Sequence, residues 1–81
     1  MAEMSLKEAK RIAGRVGARI VEKPGLYTVI LAGRAIEGVT QTHFEVFSPR
    51  QAATCAVIET GRQAIILKDF AKQVYAEEDI L

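Results

Sequence analysis

The chain has 81 residues, eleven Lys and Arg, ten Asp and Glu and one His, giving a formal net charge of +1. A chain of this length supports one core, so residues 1–81 read as a single domain, and a hydrophobic fraction of 49% with 26% charged residues excludes a disordered polyelectrolyte. The one cysteine, Cys55, excludes an intrachain disulfide framework.

Ser5-Leu6-Lys7-Glu8 has the form of a capping box, in which the Ser5 hydroxyl accepts from the Glu8 N–H and Glu8 reaches back to the Ser5 N–H. The helix it opens is expected to run to about Val16, because Leu6, Ala9, Ile12, Ala13 and Val16 share one face. Lys7, Lys10, Arg11 and Arg15 line the other face, and Gly17 stands where a left-handed cap belongs. Residues 18–23 read as a short strand closed by the turn dipeptide Pro24-Gly25. Leu26 to Ala32 reads as a central strand buried on both faces. Gly33 to Gly38 reads as a hairpin loop. Val39 to Phe47 alternates, with Thr40, Thr42, Phe44 and Val46 on one side and Gln41, His43, Glu45 and Phe47 on the other.

Ser48-Pro49-Arg50-Gln51 places Ser at an N-cap, Pro at the first helical position and Gln at the third. The second helix is expected to stop at Gly61. Arg62 to Leu67 is read as a fourth strand, with the start of the final helix as the alternative. Asp69 would cap a last helix through about Glu78, with Phe70, Val74 and Ile80 toward the core. The fold class is therefore α+β: a small mixed or mostly antiparallel sheet of three to four strands packed by two to three helices, in the order α-β-β-β-α-β-α.

Charge is divided along the chain. Residues 1–34 hold seven cations against three acids, a net +4; residues 35–81 hold four against seven, a net −3. A basic half and an acidic half suggest a polar partner or self-contact. His43 and Cys55 are the one pair able to act as base and nucleophile, and they need to meet in one groove to do so. The ordinary roles, a small core residue and an exposed strand residue, suit them better. One His and one Cys cannot complete a zinc site. Glu77-Glu78-Asp79 lacks the spacing of a calcium loop and reads as a solvated helix end. No phosphate-binding glycine loop is present, so neither a metal nor a cofactor is expected.

The order helix–three strands–helix over residues 5–60 is similar to that of double-stranded-RNA-binding domains. That resemblance implies recognition of A-form RNA by shape, although the helix from Ser48 carries one cation, Arg50, where that family has a lysine cluster. The segment Ser5-Leu6-Lys7-Glu8-Ala9-Lys10-Arg11-Ile12-Ala13, followed by strands, resembles very small phage-encoded inhibitors of the anti-CRISPR kind. That resemblance implies a protein that acts by occupying a surface of a larger nucleic-acid-handling complex.

The expectation is thus a non-enzymatic, protein-binding module contacting its partner through Lys7, Lys10, Arg11, Arg15, Gln41, His43 and Glu45. The alternatives are nucleic-acid binding through the basic helix face and an architectural homodimer. The residues after Met1-Ala2-Glu3-Met4 are charged, with no apolar signal core, and apolar runs such as Val29–Ala32 are far too short for a membrane span. With the lone cysteine, this points to the cytoplasm, the host's if the chain is phage-encoded.

Overall fold

The structure, a computed structural model, describes residues 3–80, with the backbone alone for Tyr75 and residues 77–80. Its elements are α1 (Leu6–Arg15), β1 (Arg19–Lys23), β2 (Leu26–Ile30), β3 (His43–Val46) and α2 (Pro49–Ile80). The class is α+β, with two helices and a three-stranded antiparallel sheet.

Both ends of α1 are fixed by local hydrogen bonds. At its start Ser5 Oγ accepts from the Glu8 N–H at 3.1 Å. The other half of the expected capping box does not form. Glu8 instead takes two hydrogen bonds from the Arg11 guanidinium, one of them Nε to Oε2 at 3.0 Å. A forked cationic donor one turn away outcompetes a single amide. At the C-terminus Gly17 adopts φ +78°. The Ala18 N–H then reaches the Ala13 carbonyl at 2.9 Å and the Gly17 N–H reaches the Gly14 carbonyl at 3.1 Å. This is a Schellman motif, which turns the chain directly into β1.

The strands run in the order β1-β2-β3. Lys23 pairs with Leu26 across the Pro24-Gly25 turn, where Gly25 supplies φ +77°. Ile20, Val29 and Phe44 are opposed across the three strands and form the inner face. With Leu31 and Ala18 they meet Ala9 and Ala13 of α1 and Ala52, Ala53 and Ala56 of α2. Six alanines in this core let α1 and α2 approach each other and the sheet closely; Val29 is the largest side chain fully enclosed. β2 is the central strand, as expected, and Thr28 beside Val29 is also buried, but no layer covers the outer face of the sheet, so the strand is not packed on both faces.

β3 is shorter than the 39–47 strand expected from alternation. Val39 and Thr40 both give their N–H groups to the Ile36 carbonyl at 2.9 Å. Thr40 Oγ1 accepts from the Ile36 N–H and donates to the Arg34 carbonyl. These residues close a turn and so leave the ladder, a competition that threonine hydroxyls often win.

The largest difference lies after Gly61. The helix does not stop there, and Arg62–Leu67 is neither a strand nor a separate element; all of it belongs to one helix, α2. Gly61 has no positive φ, so nothing turns the chain. A helical glycine costs only about 1 kcal/mol relative to Ala, too little to break a helix that begins so firmly. At that start Ser48 Oγ accepts from the Gln51 N–H at 3.1 Å and Gln51 Oε1 accepts from the Phe47 N–H at 2.9 Å. Phe70 and Val74, expected in the core, are exposed on the part of α2 that runs beyond it. The expectations for Ile80 and for a solvated Glu77-Glu78-Asp79 concern side chains outside the described residues.

Candidate interaction surfaces

Lys7, Lys10, Arg11 and Arg15 are all exposed, on the face of α1 opposite buried Ala9 and Ala13. Arg11 is committed to Glu8, an ion pair one turn apart. Its hydrogen bond holds the Glu8 carboxyl below the usual range, against a slight opposing desolvation. Lys7, Lys10 and Arg15 have no ion-pair partner among the described residues. The stripe therefore offers three available cations instead of four.

His43 and Glu45 are exposed on the outer face of the sheet, away from the helices. His43 stands across from Ile30 and Arg19, and Glu45 from Thr28 and Val21, so this face mixes charge with apolar area. The His43 ring is oriented by a 3.0 Å hydrogen bond between its Nδ1 and Thr42 Oγ1. Gln41 donates from Nε2 to the His43 carbonyl at 2.8 Å, holding the approach to β3. Gln41 also borders a cleft with Val39, Phe44, Arg62, Gln63 and Ile66, where α2 leaves the sheet. The basic stripe thus lies outside the helical layer and the His43–Glu45 patch outside the sheet. The core separates them, and they do not form one continuous face.

Cys55 packs against the core from α2, on the inner side of the sheet, while His43 is on the outer side. The two do not meet. Burial, and then the charge of Glu59, push the Cys55 thiol above its ordinary range. That is the reverse of what thiolate chemistry requires.

A further surface was not anticipated. Ala53, Ala56, Thr60, Gln63, Leu67, Phe70, Val74 and Glu77 follow one another at spacings of three and four along α2. That is a heptad seam. Its first members, Ala53 and Ala56, are buried against the rest of the fold. Leu67, Phe70 and Val74 lie on the same stripe with nothing packed over them, at 40%, 38% and 37% exposure. From Leu67 to Val74 every residue is exposed. At the junction Thr60 Oγ1 and Gln63 Oε1 are enclosed without a hydrogen-bond partner. The spacing was present in the sequence, but a helix stop assigned to Gly61 divides it into two unremarkable pieces.

Despite its 32 residues, α2 is not a membrane span: among the described residues no helix is long and apolar enough to cross a bilayer. Comparison of the chain with protein-family models, curated proteins and solved structures gives no match.

Proposed function

We propose that this chain is a non-catalytic protein-binding module that works by occupying a surface of its partner. The observation that supports this is the seam of α2: a helix face of the kind that packs a core runs on for about two turns with Leu67, Phe70 and Val74 uncovered. Contiguous apolar area of this sort marks interaction sites on small soluble domains. The cations Lys7, Lys10 and Arg15 add a polar surface that suits an acidic partner or competes for a site that otherwise holds nucleic acid. This fits the mode of action implied by the resemblance of Ser5–Ala13 to phage-encoded inhibitors, with a nucleic-acid-handling complex as the target.

The test is capture from an extract of the native cell on the immobilised chain, with and without nuclease. A partner retained after nuclease and lost with Phe70→Lys supports the reading. A partner lost on nuclease treatment, and insensitive to Phe70→Lys, overturns it.

A second reading, nucleic-acid binding through α1, is favoured by the three unpaired cations. It expects an affinity that falls with salt, with a log–log slope of roughly 0.9 per neutralised phosphate. Lys7→Ala, Lys10→Ala and Arg15→Ala together would flatten that slope. Salt-independent binding would remove this reading.

A further inference from the structure

We infer that the outer edge of β1 docks an extended acidic peptide segment of a partner protein, which joins the sheet as a fourth strand antiparallel to β1. The inference rests on the protein-binding reading above and adds a contact separate from the seam of α2.

The two edges of the sheet differ. The Leu31 N–H donates to the Thr42 carbonyl at 2.8 Å. Alternation then turns the main-chain groups of Val29 and Tyr27 toward β3 and those of Ile30, Thr28 and Leu26 toward β1. Their β1 partners Arg19, Val21 and Lys23 bond to β2, so the N–H and C=O groups of Ile20 and Glu22 point away from the sheet. At the opposite edge His43, Glu45 and Phe47 point outward in the same way. There the His43 carbonyl accepts from Gln41 Nε2 at 2.8 Å, and the Phe47 N–H donates to Gln51 Oε1 at 2.9 Å. Side chains of the same chain thus close both ends of the β3 edge, which protects it against strand pairing. β1 has no such cover: among the described residues no hydrogen bond reaches the outward groups of Ile20 or Glu22. Ile20 is only 6% exposed. An unpaired main chain at such a residue is costly, and a strand that pairs with it removes the cost. A cleft lined by Lys10, Ala18, Arg19 and Ile20 opens beside it.

The side chains along this edge set the chemistry of the incoming strand. Arg19, Val21 and Lys23 are exposed on the outer face of the sheet, Val21 at 39%. Lys10 stands at the cleft on the helical side. None of these three cations has an ion-pair partner among the described residues, and Glu22 is the one acid of the strand. Residues directly opposite in an antiparallel pair share a face and interact. Acids facing Arg19 and Lys23, with an apolar residue facing Val21 between them, therefore match this edge. The occupant reads acidic–x–apolar–x–acidic, its two x residues bonding Ile20 and Glu22 through the main chain. A second copy of β1 is a poor match. The antiparallel register that uses all four outward groups is centred on Val21, and it sets Arg19 of each copy against Lys23 of the other, where like charges repel.

The test is a titration of the isotope-labelled full chain with the synthetic peptide acetyl-Ser-Glu-Thr-Val-Val-Glu-Ser-amide, followed by amide chemical shifts and hydrogen exchange. The expected result is shifted resonances and slowed exchange at the Ile20 and Glu22 amides, with an affinity that falls as salt is added. Replacing both peptide glutamates by lysine should weaken binding about tenfold, as should N-methylation of the threonine and the second valine, which removes main-chain donors and keeps the charge. The variant with both Arg19→Glu and Lys23→Glu should prefer the lysine peptide. Absence of binding at millimolar peptide overturns the inference. Equal binding of the lysine or N-methylated peptides, or shifts confined to β3, also overturns it. Slowed exchange at Ile20 and Glu22 that depends on protein concentration alone makes a second copy the occupant and overturns it too. In each of these cases a partner captured after nuclease and lost with Phe70→Lys leaves the protein-binding reading standing. Peptide bound at β1 without such a capture removes the α2 seam from that reading and leaves the β1 edge in place.

Discussion

A methyl group added at Gly61 would meet nothing within 4 Å, and the residue is helical without a positive φ. Gly61→Ala should therefore stabilise the protein by about 0.5–1 kcal/mol, through the conformational freedom the unfolded chain loses. Thermal unfolding would show a rise of roughly 4–8 °C per kcal/mol for a domain of this size. A helix that ended at Gly61 would give the opposite sign. Gly17 is the contrast. It holds φ +78° in the turn after α1, and an added Cβ would stand 3.4 Å from that of Ala32. Gly17→Ala should destabilise by about 1–2 kcal/mol, the cost of a left-handed side chain, as measured by denaturant titration. Cys55 supplies a pH readout. Its thiol is shifted up by burial and by Glu59. The folded chain therefore keeps this proton at pH values where the unfolded thiol has lost it. Stability from this group is fully present below the unfolded thiol's pKa and is lost as pH rises from there through the higher pKa of the folded thiol. Alkylation near pH 8 should be slower in the folded chain than after denaturation, and equal rates would refute the shift.

At the scale of elements, α1 and α2 meet through alanines. Ala9, Ala13, Ala52 and Ala56 are each 0% exposed, so the helix–helix contact has no slack. Ala56→Leu should cost about 1–3 kcal/mol by overpacking, read as a lower denaturant midpoint, although leucine is nearly as good a helix former as alanine. Much of this layer was legible in the sequence. Ser5, Gly17, Pro24-Gly25 and Ser48-Pro49 each act within a few residues, and local patterns report them well. The apolar face of α1 and the alternation of Phe44 and Val46 against His43 and Glu45 were also legible, because their periods are short. What failed depended on competition. Thr40 could extend a strand or close a turn, and its hydroxyl decided for the turn. Gly61 could end a helix or be carried within one, and the pattern on both sides of it carried it through. The site was read only in part. Lys7, Lys10 and Arg15 stand where the helical period placed them. The uncovered seam was missed because exposure is a property of what lies across from a helix, and no local pattern records that.

The whole molecule is shaped by the length of α2. At 1.5 Å per residue its 32 residues span about 48 Å, which sets the long dimension of a body measuring 56 × 21 × 17 Å. Its fully buried residues end at Ala56 and its half-buried ones at Ile66, and the turns from Leu67 to Val74 rest on nothing in the same chain. Trypsin should therefore cut first at Lys68 and Lys72, on exposed turns that open without disturbing the sheet, while Lys23 beside the β1–β2 turn and the cations of α1 persist longer. Mass spectrometry of early digests checks this order. Early loss of α1 instead would show that the core is not the stable unit.

The single heptad seam of α2 has a consequence for how such a protein changes over time. Its proximal half, Ala53 and Ala56, is tied to the fold, whereas its distal half, from Leu67 outward, is tied only to whatever it meets. Under the proposed protein-binding function, substitutions in the distal half alter recognition while the folded domain continues to assemble as before. Selection can act on the two halves of one helix almost independently, and a chimaera carrying a foreign seam after Gln63 should fold as this chain does yet recognise something else.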